Sequence, residues 1–168
     1  MKPHGALLLM LGLCACEPSP RMDAPDEPAK ETPAPAPAPA PPAGWSLSRD
    51  AGGVSLELER DGASVARFAC LHSGRVFQAQ GFSLNPIGSE ERLTVGAGDE
   101  AHALGADPGA SVAGVMGSGA IPPALLAEIE GGGPLSLSYG AQTLGPLEAL
   151  GPANRAAFVA GCRAVLAG

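Results

Sequence analysis

No lysine follows Lys30, and every basic residue beyond Gly44 is an arginine. From Gly44 to Gly168, 125 residues, seven arginines face twelve acidic side chains, a formal charge of −5. Nucleic acid requires clustered positive charge to meet its phosphates, so this balance argues against a nucleic-acid partner. It argues equally against an electrostatic hold on anionic lipid. No apolar run after residue 16 approaches the roughly 20 residues of a membrane-spanning helix. No internal repeat is visible.

The usual catalytic signatures are missing as well. G-x-S-x-G does not occur, which removes support for a nucleophile-elbow hydrolase. Gly114, Gly117 and Gly119 in GVMGSG lack the P-loop lysine and the dinucleotide spacing, so a strand followed by a turn is expected there. The domain's two histidines, His72 and His102, have no H-x-x-x-H partner, and no D-x-D-x-D-G run is present. Neither a metal nor a cofactor is expected.

What is present begins at the first residues. Met1 to His4 form a short basic lead, and Ala6 to Leu13 read ALLLMLGL without a polar side chain. A charged lead, an apolar centre of about 7–15 residues and a small residue before the cut describe a secretory signal. The stretch Leu13-Cys14-Ala15-Cys16 then resembles the bacterial lipobox. Leu13 before Cys14 is too bulky for the small-residue slot, whereas Cys16 follows Ala15 and has Leu13 three places back. The resemblance therefore implies a signal peptide over 1–15 and a diacylglyceryl thioether on Cys16, usually with an acylated amino group. Insertion of these chains would make the lipid bilayer a partner, and two or more chains anchor durably. In lipoproteins an Asp after the cysteine tends to retain the protein at the inner membrane. Glu17 stands here, which implies the outer membrane, facing the periplasm. The competing reading is an ordinary cleaved signal with incidental cysteines.

Glu17 to Ala43 holds ten prolines in 27 residues and ends in an alternating Pro-Ala run. Proline fixes its own φ and disfavours helix in the preceding residue. A polyproline-rich spacer over 16–43 is thus expected, lifting a folded domain off a lipid surface. A PxxP ligand is the alternative, but no basic residue sits beside the run to orient it.

The folded part is expected over 44–168. Val54, Leu56 and Leu58 alternate with Ser55, Glu57 and Glu59, the period of a half-buried strand. Arg60-Asp61-Gly62 signals a turn, so 54–71 should be a hairpin. RVFQAQGF, ERLTVG, DEAHAL and SVAGVM, then LSLSYG, are further strand candidates. IPPALLAEIEGGG carries prolines at a helix start, Leu125, Leu126 and Ile129 on one side, and a glycine stop. In the closing stretch PANRAAFVAGCRAVLAG, Phe158, Cys162 and Val165 or Leu166 recur at helical spacing. The expected fold class is mainly β: a small antiparallel sandwich or partly open barrel, with two short helices in the C-terminal half.

Cys70 and Cys162 remain as the domain's two thiols. In an oxidising compartment such a pair most often bridges, here stapling the last helix to the hairpin. Closing a loop of about 90 residues stabilises by roughly 4 kcal/mol in the chain-entropy model. The alternative is a reactive thiol at Cys70 with His72 as its base, although residues i and i+2 on a strand share a face without guaranteed hydrogen-bond reach.

The late stretch LLAEIEGGGPLSLSYGAQTLGP, with Phe158 and Cys162 on the helix that follows, is similar to the closing pattern of invasion-associated locus B-like periplasmic proteins. That family's lead cysteine pattern is missing here, and the family supplies no catalytic residues to carry over.

The most polar constellation is Glu90, Glu91, Arg92, Asp99, Glu100, His102 and Asp107. Pairing of ERLTV with EAHAL could bring carboxylates and an imidazole close, a mix that suits a metal or an acid–base pair. Charged residues around a hairpin are more ordinarily solvated edge protection. As a binding surface this stretch is the first choice, because loops of mixed charge display recognisable features. Three functions are consistent with these features. The first is a non-enzymatic envelope lipoprotein that binds a protein or cell-wall component. The second is an inhibitor of a cell-wall-degrading enzyme, and the third a periplasmic hydrolase using Asp99, Glu100 or His102.

Overall fold

The computed structural model describes residues 44–111 and 113–168. The expected signal segment 1–15, the expected lipid site Cys16 and the expected spacer 16–43 lie outside them. Among the described residues nine strands and two α-helices follow one another: β1 (Gly44–Asp50), β2 (Gly53–Arg60), β3 (Ala63–Leu71), β4 (Val76–Gly81), β5 (Arg92–Ala97), β6 (Glu100–Asp107), β7 (Val115–Ala120), α1 (Pro123–Gly131), β8 (Leu135–Tyr139), β9 (Gln142–Leu144) and α2 (Pro152–Ala167). All strands belong to one antiparallel sheet in the order β1-β2-β3-β4-β7-β6-β5-β8-β9, curled into a half-barrel. Of the two expected layouts, the partly open barrel is therefore the one adopted.

Period-2 alternation builds the sheet. Val54, Leu56 and Leu58 on β2, Ala66, Phe68 and Cys70 on β3, and Leu93 and Val95 on β5 point inward and are buried. Their neighbours Ser55, Glu57 and Glu59 face outward. Asp61 and Gly62 take positive φ at the two-residue β2–β3 turn, as the right-handed twist of a tight hairpin demands.

Both helices pack against the sheet, α1 on β5 and β6 and α2 on β1, β2 and β3, and they touch each other. Leu125, Leu126 and Ile129 of α1 are buried, and Gly132 in the left-handed region closes that helix by donating to Ile129 O. On α2 the buried set is Phe158, Val159, Cys162 and Val165, while Leu166 turns outward. The expected bridge is present: Cys70 and Cys162, both fully buried, are bonded with their Cα atoms 5.2 Å apart. Cys70 is accordingly not a thiol nucleophile for His72 to activate.

The open side of the half-barrel is crossed by residues 145–151. Leu147 N–H donates to Leu135 O at 2.8 Å, and the Trp45 indole donates to Glu148 O at 2.8 Å. Arg60 Nε reaches the Glu148 carboxylate at 2.7 Å, and Asn154 Nδ2 donates to Trp45 O at 3.3 Å. The Trp45 end of the β1 edge is thus met by the chain's own late segment, while Ser48 to Asp50 stay exposed.

One strand departs from expectation. SVAGVM was to be a strand and GVMGSG to end in a turn, whereas β7 runs from Val115 through Ala120. Packing supplies the reason. A Cβ on Gly117 would lie 2.9 Å from Leu93 Cβ and 3.1 Å from Leu104 Cβ, and one on Gly119 would lie 3.2 Å from Leu104 Cδ2. Glycines here leave room for two core leucines, so a run that resembles a turn is an interior strand. β1 and β9 are additions to the expected strands.

Candidate functional site

Two places bear on function. In the first, β5 and β6 do pair, with Arg92 opposite Gly105, Val95 opposite His102 and Ala97 opposite Glu100. That register separates the polar residues instead of gathering them. Glu90, Glu91 and Arg92 lie at one end of the hairpin, Asp99 and Glu100 at its turn, roughly 20 Å away at 3.3 Å per residue. His102 is half-buried on the strand between. A two-residue turn aligns residue 97 with residue 100 and sends residue 91 to the far end. Among the described residues no group of three or more His, Cys, Asp or Glu side chains is placed to hold a metal ion.

The Glu90 end has a defined shape. Tyr139 is fully buried, and its hydroxyl lies 2.8 Å from Ile87 O and 2.9 Å from Glu90 O. Glu90 Oε1 in turn accepts from Arg92 N–H at 3.0 Å. The loop carrying Glu90 and Glu91 is therefore pinned from the core side, while Glu91 and Arg92 stay exposed.

The second place is a groove of about 300 Å³ between α2 and the β1–β2 turn. Arg49, Asp50 and His72 supply its polar lining, and Val54, Ala160 and Val165 are among its apolar ones. Arg49 Nη2 donates to the Ala157 carbonyl of α2. Asp50 Oδ1 accepts from Gly52 N–H at 2.7 Å, and His72 N–H donates to Gly52 O at 2.9 Å, which ties the end of β3 to the turn. The bridge runs close by, since Val54 pairs with Cys70 and Gly161 precedes Cys162 along this wall. Sequence reasoning reached His72 only as a neighbour of Cys70. Arg49 and Asp50, beside Gly52 and Gly53, carried a signal as a charged pair entering a tight turn.

The shifted titrations lie elsewhere and are structural. Arg163 of α2 donates to both Glu130 carboxylate oxygens on α1, at 3.1 and 2.7 Å, which lowers the Glu130 pKa and raises that of Arg163. Glu148 is held low first by its own backbone N–H and then by Arg60. Both are exposed ion pairs, one between helices and one across the barrel opening.

No family model matches this chain, and neither curated proteins nor solved structures give a match.

Proposed function

We propose that this protein is an envelope lipoprotein, anchored through acylated Cys16 to the outer membrane, whose domain over 44–168 binds a protein or cell-wall component in the periplasm without catalysing a reaction. The observation that carries the reading is the buried Cys70–Cys162 bridge joining β3 to α2. A structural cystine inside a small core belongs to oxidising compartments, which is where a lipobox protein resides. The spacer over 16–43 supports the same arrangement.

Radiolabelled palmitate and membrane fractionation of the full chain test the anchor. The wild-type protein is expected to be labelled and membrane-bound, and Cys16→Ser unlabelled and released. Retained labelling of Cys16→Ser overturns the assignment of the thiol, and an unlabelled wild-type chain overturns the anchor.

The domain's charge of −5 favours one second reading, inhibition of a basic cell-wall-degrading enzyme by electrostatic complementarity. Lysozyme turnover at excess full-length protein tests it, and an unchanged rate removes it.

A further inference from the structure

The groove beside the bridge has a chemistry that the folding of the domain does not use up. Arg49 engages Ala157 O through Nη2, and among the described residues its Nε and Nη1 have no hydrogen-bond partner. The His72 side chain is exposed and likewise unpaired among the described residues. Asp50 keeps one carboxylate oxygen, Oδ2, outside its bond to Gly52. Between these groups the wall is built from small aliphatic residues, Val54, Ala160, Ala164 and Val165. Arg49 and Asp50 form no ion pair with each other, so neither charge is taken up by the other.

We infer that this groove binds the C-terminal end of a short peptide with small apolar side chains. The free carboxylate meets the donors of Arg49 and His72, the last backbone N–H meets Asp50, and the methyl groups rest on the aliphatic wall. Arginine pairs with carboxylates by strong, directional hydrogen bonds, and Arg49 keeps donors outside its bond to Ala157 O for such a partner. Size agrees, because about 300 Å³ is at the small end of ligand sites and suits two or three small residues. The inference rests on the binding-domain reading above and names its ligand class. Two sources share that chemistry, the stem peptides of the cell wall and the ends of ordinary proteins.

Fluorescence anisotropy with the detergent-solubilised full chain tests it. The probes are dye-labelled Ala-Ala-Ala as free acid, the same peptide as C-terminal amide, and a D-Ala-D-Ala-terminated analogue. The free acid is expected to bind about tenfold more tightly than the amide, the size of one charge-assisted hydrogen bond. His72→Ala and Arg49→Gln are each expected to weaken the acid by about fivefold or more, and Ser118→Ala on the outer face to leave it unchanged. His72→Ala removes an exposed side chain, so its loss of binding is not a loss of fold. Preference for the D or the L terminus identifies the source, and either preserves the inference.

Equal affinity for acid and amide overturns it, as does a wild-type Kd weaker than about 10 mM. Should cross-linking in envelopes recover the same partner with wild type and with Arg49→Gln, the groove assignment fails while the binding-domain reading stands.

Discussion

A Cβ placed on Gly161 of α2 would stand 2.7 Å from Val54 Cγ1 and 2.8 Å from Val54 Cβ on β2. At this residue the helix backbone therefore rests directly on the Val54 side chain, with no side chain of its own between. Val54 is paired with Cys70, and Cys162 follows Gly161, so this close approach is what brings the two sulfurs within bonding reach. Glycine at 161 and cysteine at 162 form one device.

Gly161→Ala is expected to destabilise the protein by about 1–2 kcal/mol. Overpacking against the rigid Val54 costs more than the roughly 1 kcal/mol of helix propensity that alanine returns. Chemical denaturation checks this, and Val54→Ala in the same background should recover part of the loss through non-additive coupling.

The bridge spans a sequence separation of 92 residues. Cys162→Ser or Cys70→Ala is expected to cost about 2–4 kcal/mol, close to the chain-entropy value for such a loop. Alkylation of the native protein without reductant should leave both residues unmodified, and reductant should expose both. Modification without reductant would show that the thiols are free.

Gly117→Ala places a methyl group against Leu93 Cβ and Leu104 Cβ at about 3 Å. A loss of about 1–3 kcal/mol is expected, since neither leucine backbone can retreat. An exposed turn at this position would accept alanine without penalty, so the thermal midpoint of this variant separates the two descriptions of GVMGSG.

Glu148 titrates below the ordinary carboxylate range because its backbone N–H and then Arg60 favour the charged form. A depressed folded value means that the stabilisation is present above the unfolded pKa and is lost as pH falls through the folded one. Both side chains are about half exposed, so the pair contributes on the order of 0.5 kcal/mol at neutral pH. Glu148→Gln should lower stability by that amount at pH 7, and the two proteins should converge in acid below the carboxylate range. A difference that persists unchanged into acid would assign the effect to packing.

The hairpin of β2 and β3 was legible because alternation at 54–58 and an Asp-Gly turn are local signals. Both helices were legible from Pro at the start and glycine or small residues at the end. The cystine was legible from cysteine count and helix face, given the compartment that the resemblance to a lipobox implies. Register was harder. The segments of β5 and β6 were read as strands and as partners, yet the length of their turn decides which residues face one another. Gathering Glu90 with His102 would have required a different turn.

Sequence by itself thus determined the period of each segment, because side-chain direction in a strand or helix follows from backbone geometry within a few residues. Tertiary structure decided the rest. β7 lies between β4 and β6, Gly117 belongs to the interior, and the neighbours Arg49 and Asp50 meet His72 beside α2 across a gap of more than twenty residues. These depend on which surfaces exclude water together and on how closely two backbones approach. Such contacts join residues far apart in the chain, and no local pattern records them.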